Sequence, residues 1–173
     1  VIGDLIVDEY IACVPLGMSQ EDPTLVVSPS DRAKFMGGAG IVAMHAASLG
    51  AKVNFLSVMG NDNEKDYVLE KLDKKNITSY VAVDEKRHTT LKQRYQAEGK
   101  SLLRVSHLTQ DSIDKKTQDY LLDAFEKIVS NLDLVVFSDF NYGCLPQTLV
   151  DAITARCKEE NIVMVADSQS SSQ

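Results

Sequence analysis

Three glycines stand directly before an apolar helical pattern in Lys34-Phe-Met-Gly-Gly-Ala-Gly-Ile-Val-Ala-Met-His-Ala-Ala-Ser-Leu-Gly50. Glycines such as Gly37 and Gly38 let backbone approach a ligand closely, and a helix N-terminus offers unpaired N–H groups that favour anions or hydroxyls. The segment is a candidate cradle for a small polar ligand. Its plain alternative is a tight turn before a core helix that buries Val42, Ala46 and Leu49. Val1-Ile-Gly-Asp-Leu-Ile-Val-Asp8 reads as a buried strand carrying carboxylates at Asp4 and Asp8, residues that a strand interior disfavours. Val53-Asn-Phe-Leu-Ser-Val-Met-Gly-Asn-Asp62 is a second strand ending in Gly60 and an acid, where open α/β sheets bind ligands. Thr89-Thr-Leu-Lys-Gln-Arg94 alternates polar and cationic side chains on an extended run. His45, His88 and His107 lack metal-ligand spacing, as do Cys13, Cys144 and Cys157. The three cysteines read as free thiols of a reducing cytoplasm.

These residues need a scaffold, and the apolar pattern supplies alternating strands and helices. Residues 10–36, broken by Pro15, Pro23 and Pro29, are too irregular for a helix and too long for a loop, so they are expected in a small β-subdomain. A helix over about 38–49, a strand near 53–58 and a helix near 63–75 follow, with Asn63 as candidate cap and Asp66 in the first turn. Strands near 79–83, 88–97 and 101–106 come next, the last two joined by a hairpin turn at Glu98-Gly-Lys100. From Asp111 the pattern predicts a helix with Ile113, Thr117, Tyr120, Ala124 and Ile128 on one stripe. Leu134–Phe137 and Ile162–Ala166 read as central strands, with a helix opened by Pro146 between them. The alternation implies an α/β fold with a mostly parallel sheet.

At 173 residues and 44% apolar content the chain can bury a real core. A net charge of −7 argues against a general nucleic-acid binder, whose footprint is basic. No apolar run approaches the ~18 residues of a membrane span, and no signal peptide is recognisable. A chain that opens at Val1 inside an apparent strand, without Met, reads as a fragment. Its closing run, Ser168-Gln-Ser-Ser-Ser-Gln173, has by itself the composition of a disordered tail or of a loop cut short.

Taken in order, the motifs resemble the amino-terminal half of the ribokinase-like (PfkB) carbohydrate kinases, closest to the branch that phosphorylates heptose 7-phosphate in ADP-heptose synthesis. The matching residues are Gly3-Asp4, Ser19-Gln-Glu-Asp-Pro23, Gly37 to Ala43, Gly60-Asn-Asp62, Thr89 to Arg94 and, in part, Ser138-Asp-Phe-Asn-Tyr-Gly143. The resemblance covers essentially the whole chain. It implies residues 1–173 as the N-terminal part of one ribokinase-like domain, with lid segments at about 10–36 and 88–106. It further implies ATP and Mg²⁺ as cofactors, a sugar or sugar phosphate as substrate and a cytoplasmic enzyme. The outer face of such a lid sheet cannot be covered by this chain alone, so a homodimer of the full-length enzyme through lid-to-lid contact is expected.

Within that resemblance, Asp4 is the expected clamp on sugar hydroxyls, Gly37 and Gly38 bring backbone N–H groups to the sugar, and Lys92, Arg94 and, more weakly, Arg104 meet an anionic substrate group. Asp139 is expected on the nucleotide side. The family's Gly-Ala-Gly-Asp motif, which carries the general base, has no counterpart in this sequence, so no catalytic base is assigned and the chain alone is expected to be inactive. Three positions depart from the pattern: Ile41 stands where the family has Asn, Tyr142 where it has Lys, and Ser106 where the Arg-x-Asp after its hairpin has Asp. One competing reading is a Rossmann-type NAD(P) oxidoreductase, because Gly38-Ala-Gly-Ile-Val-Ala43 fits G-x-G-x-x-G/A with Asp62 about 20 residues on. Another is a non-catalytic sugar-binding pseudokinase or partner-dependent module.

Overall fold

The structure, a computed structural model, describes residues 1–169, so the Ser/Gln run beyond Gln169 lies outside the described residues. Five short strands, β1 (Ile2–Gly3), β4 (Asn54–Met59), β5 (Thr78–Val83), β8 (Leu134–Asp139) and β9 (Val163–Ser168), form an all-parallel sheet in the order β5-β4-β1-β8-β9. Helices cover both faces, as a parallel sheet requires. The alternation along β4 shows how: Leu56 and Val58 join the cluster built with α3 (Lys115–Glu126) and α4 (Gln147–Glu159). Phe55 and Met59 point the other way, into a cluster with α1 (Gly38–Ser48) and α2 (Glu64–Asp73).

A second, four-stranded sheet in the order β3-β2-β6-β7 forms the lid, from β2 (Leu5–Met18), β3 (Leu25–Gly37), β6 (Thr90–Ala97) and β7 (Lys100–His107). The turn between β6 and β7 has Glu98 and Gly99 both at positive φ, 49° and 76°, the two-residue hairpin pattern that matches strand twist. β2 pairs with β6 only from Ile6 to Ala12, so from Cys13 onward it is held by β3 alone and projects as a two-stranded ribbon.

Four local expectations are corrected. The first strand does not run unbroken from Val1 to Asp8: β1 ends at Gly3 and the chain crosses into the lid at Asp4. The apolar run Leu5-Ile6-Val7 is buried on the far side of the crossing just as Ile2 is on the near side, so composition carries no mark of the change of sheet. α1 buries Gly38, Ala39, Gly40 and Ala43, while Leu49 is 89% exposed, because the glycine face is the one that fits against the strands. Asn63 makes no side-chain cap and is itself helical in φ and ψ, although Asp66 does sit in the first turn of α2. α3 starts only after Asp114, whose carboxylate accepts the Thr117 N–H. Its buried face is accordingly Leu121, Ala124 and Phe125, with Tyr120 outside.

Candidate functional site

The lid lies over the C-terminal ends of the central strands, where open α/β sheets place ligands. Cα partners share a face of a sheet, so the pairings Asp8–Lys92 and Tyr10–Arg94 on β2 and β6, with Phe35 and Ala33 of β3 and Arg104 of β7, define one side of the lid. That side faces the core: the Lys92 ammonium rests over the rings of Phe140 and Tyr142, in the loop that follows β8, 5.9 and 4.9 Å from their centroids. Asp8, Tyr10, Ala33, Phe35 and Met36 line an open hollow of about 580 Å³ there. A larger hollow lies at the opposite, N-terminal ends of the strands, around Val1, Asn54 and Leu134, and holds none of the candidate residues.

Gly37 and Gly38 join β3 to α1 beneath this hollow. A Cβ on Gly37 would stand 2.4 Å from the Asp8 Oδ2, and one on Gly38, where φ is +54°, would stand 2.3 Å from the Asp4 carbonyl oxygen. Both positions exclude a side chain, one to admit a carboxylate and the other to admit backbone. The helix N-terminus itself has no acidic residue in its first turn. Ile41, half-buried in that turn, brings no hydrogen-bonding group to the hollow.

Asp4 and Asp8 diverge in role. Asp4 is 2% exposed, and its carboxylate accepts the backbone N–H groups of Phe140 (2.7 Å), Tyr142 (3.2 Å) and Cys144 (3.0 Å). Burial pushes the Asp4 carboxyl up from its ordinary value, the three amides oppose that rise, and the Asp139 charge reinforces it. Asp4 thus ties down the loop after β8. Asp8 keeps 22% of its side chain accessible and forms an ion pair with Arg94 inside the hollow. It is the carboxylate able to meet a ligand. The sequence contains Asp8 but gives no sign of this division, which depends on the chain turning at Asp4.

The three cations lie on the same side of the lid. Arg94 bonds to Asp8 and covers the Tyr10 ring at 5.2 Å, Lys92 rests on the Phe140 and Tyr142 rings, and Arg104 is an exposed partner of Arg94 one strand further out. Tyr142 therefore offers Lys92 an aromatic face. Asp139 ends β8, and its carboxylate accepts the Asn141 N–H and the Ser168 hydroxyl at 2.9 and 2.7 Å. Asp62, at the end of the second central strand, accepts the Thr89 N–H and hydroxyl and so anchors the approach to β6.

Other chemistries find less support. Burial, with the Asp4 charge beside it, pushes the Cys144 thiol up to about 12, which keeps it protonated and a poor nucleophile. Among the described residues no three or more His, Cys, Asp or Glu side chains gather into a metal site. None of their helices is long and apolar enough to cross a membrane. The glycine fingerprint of a dinucleotide site must follow a central parallel strand. Here Gly38-Ala-Gly-Ile-Val-Ala43 follows β3, a lid strand antiparallel to β2, and the oxidoreductase reading falls with it.

Comparison with known proteins places this geometry in context. The profile of the pfkB family carbohydrate kinases matches residues 1–173. The chain is 33% identical over 168 residues to the bifunctional protein HldE of Helicobacter pylori (strain Shi470), covering 96% of this chain and 36% of that protein. It is 30% identical over 172 residues to the protein of the same description from Sulfurimonas denitrificans, again over 36% of its length. Among solved structures, a carbohydrate kinase from Agrobacterium tumefaciens superposes with a TM-score of 0.72 at 16% identity, covering 95% of this chain and 51% of that one. Phosphofructokinase-2 from Escherichia coli in complex with fructose-6-phosphate gives 0.68 at 14% identity, with coverages of 97% and 54%. The chain thus spans about a third of these curated relatives and half of these solved structures.

Proposed function

The chain belongs to the pfkB family of carbohydrate kinases, and from that membership we propose that it is the substrate-binding and lid half of an ATP-dependent kinase acting on a sugar phosphate of the heptose 7-phosphate kind. The observation that carries this reading is the hollow under the lid, where one accessible carboxylate, Asp8, lies against the Gly37 backbone with Lys92, Arg94 and Arg104 on the same face. A carboxylate bonded to sugar hydroxyls orients the ring, since a hydrogen bond to a charged group contributes roughly 1.5–3 kcal/mol. The cations suit the phosphate that the sugar already bears, Arg94 with a bidentate fork and Lys92 as a point charge. The likeness to two HldE proteins supports the heptose branch.

In this reading Asp8 takes over the clamp expected of Asp4, and Asp4 with Asp139 shapes the loop after β8. ATP would supply the transferred phosphoryl group and Mg²⁺ would neutralise its charge. This chain's own contribution is to bind the sugar, orient it and exclude water. Three free, buried cysteines support a reducing, cytoplasmic setting. The exposed apolar ribbon end, with Val14, Leu16, Met18 and Leu25, supports a homodimer through the lid.

The test is ATP-dependent phosphorylation of heptose 7-phosphate, fructose 6-phosphate and unphosphorylated sugars by the full-length protein, alongside the 173-residue chain. Turnover by the full-length protein that favours heptose 7-phosphate, with binding but no turnover by the shorter chain, is the expected result. Binding without turnover by the full-length protein would favour the pseudokinase reading, which Ile41 keeps in play.

A further inference from the structure

The Arg87 side chain is only 8% exposed, at a position no part of the substrate reading uses. It sits where the chain passes from β5 up to β6, and its guanidinium donates to three backbone carbonyls drawn from two other segments. Nη1 bonds to the Tyr142 carbonyl at 2.9 Å and to the Thr109 carbonyl at 3.3 Å, and Nη2 bonds to the Asp111 carbonyl at 2.6 Å. The Asp84 carboxylate stands 3.7 Å from Nε. Thr109 and Asp111 belong to the return path from β7 to α3, so one side chain fastens both crossings between β5, the β6–β7 hairpin and α3 to each other and to the loop after β8.

The contact with Tyr142 reaches the crevice. Tyr142 gives its N–H to Asp4 and its carbonyl to Arg87, so opposite charges hold the two ends of a single residue. With its backbone fixed from both sides, the Tyr142 ring is set beneath the Lys92 ammonium. Burying a guanidinium is costly, and here the Nε has no hydrogen-bond partner among the described residues and only the Asp84 charge nearby, so the bonds from Nη1 and Nη2 to the three carbonyls are what hold the side chain in place.

We propose that Arg87 is the positioning residue of the lid: by holding the Tyr142 carbonyl, and through it the ring on which Lys92 rests, it sets where that ammonium stands over the crevice. Arg87 touches no substrate; it acts on the lid through Tyr142. The effect on substrate rests on the kinase reading above, whereas the effect on the lid does not.

The experiment compares Arg87→Lys, Tyr142→Leu and their combination in the full-length protein, first by hydrogen exchange without substrate. Arg87→Lys keeps the charge but loses the fork that reaches three carbonyls, and Tyr142→Leu removes the ring while leaving the carbonyl that Arg87 binds. Arg87→Lys is expected to speed exchange at Thr90–Ala97 by about tenfold or more, as loss of charged hydrogen bonds implies, and Tyr142→Leu by about two- to fivefold, as loss of a half-exposed cation–π contact implies, with Asn54–Met59 of the core little changed in both. The double variant should fall short of the sum of the single effects, because both disturb the seat of Lys92 on Tyr142 although Arg87 also holds the Thr109 and Asp111 carbonyls. Equal acceleration in lid and core, or additive single effects, would overturn the proposal. Should Arg87→Lys fail to fold, an unchanged lid in Tyr142→Leu would overturn it as well. A second readout is KM for the sugar phosphate: Arg87→Lys should raise it several-fold with a smaller change in kcat, and should add nothing in a Lys92→Ala background. Altered exchange in a protein that phosphorylates no sugar would leave the positioning role standing and remove the kinase reading alone.

Discussion

Asp8 and Arg94 are not direct partners in the pairing of β2 with β6, yet their side chains meet diagonally as an ion pair within the hollow beneath the lid. A ligand hydroxyl entering there can take an oxygen of the carboxylate while the guanidinium still holds it in place. Asp8→Ala in the full-length protein is expected to lower kcat/KM for the sugar phosphate by about tenfold or more, the loss of one charged hydrogen bond. The melting temperature should scarcely move. Steady-state kinetics with a thermal melt decides it, and a large drop in stability with unchanged kinetics would make Asp8 a structural group.

Asp4 should behave in the opposite way. Asp4→Ala leaves the amides of Phe140, Tyr142 and Cys144 without their acceptor and is expected to cost about 2–4 kcal/mol of stability, since each buried unsatisfied donor costs about 1–3 kcal/mol. pH adds a signature. The folded-state carboxyl is raised above its ordinary 3.8, so between those two values the folded chain holds a proton that the unfolded chain has released. Stability contributed by this group therefore falls as pH rises through that window. Urea midpoints followed upward from about pH 4 should show that descent in the parent and lose it in Asp4→Ala.

The two cradle glycines make a paired test. Gly37 has ordinary extended backbone, and its missing Cβ would press on the movable Asp8 carboxylate, so Gly37→Ala should fold well and lose about tenfold in kcat/KM. Gly38→Ala meets the Asp4 carbonyl in a left-handed conformation and should cost about 2 kcal/mol or more, seen as a lowered denaturation midpoint.

Lys92 separates phosphate recognition from sugar recognition. Lys92→Ala is expected to raise KM about tenfold for a phosphorylated sugar and far less for the same sugar without phosphate. The salt dependence of KM should weaken with it, because the lost contact is one that added salt screens. Equal losses on both substrates would place Lys92 outside the phosphate site.

Assembly through the lid predicts that Leu16→Glu converts a dimer to a monomer in light scattering while leaving secondary structure intact. Leu16 is 65% exposed on a ribbon that is held along one edge only, and a charge there opposes apolar contact with a second copy. A parent protein that is already monomeric would end the dimer proposal.

The sequence makes much of this architecture legible because local signals agree with the global fold. The Glu98-Gly99 turn and the continuous apolar run at Leu134–Phe137 each have one economical interpretation, and the structure realises it. The site is harder to read because it depends on register. Asp4 and Asp8 look equivalent until the chain changes sheet between them, and only the alignment of β2 with β6 puts Asp8 beside Lys92 and Arg94. Arg87 has one local partner, Asp84 three residues before it, while the carbonyls it holds lie 22, 24 and 55 residues away and leave no mark in the nearby sequence.

The length of β2 has a mechanical consequence. Its 14 residues extend about 45 Å at roughly 3.3 Å per residue, rooted at Leu5 against the core, with Met18 at the far end. The strand is a lever whose fulcrum is the crossing at Asp4. A rotation of about ten degrees at that fulcrum sweeps the far end through about 8 Å over such a length, while the hollow near Asp8 shifts by only a fraction of that. A spectroscopic label at Ser19 would thus read out the angular state of the lid with several-fold gain, well away from the residues that would touch the sugar.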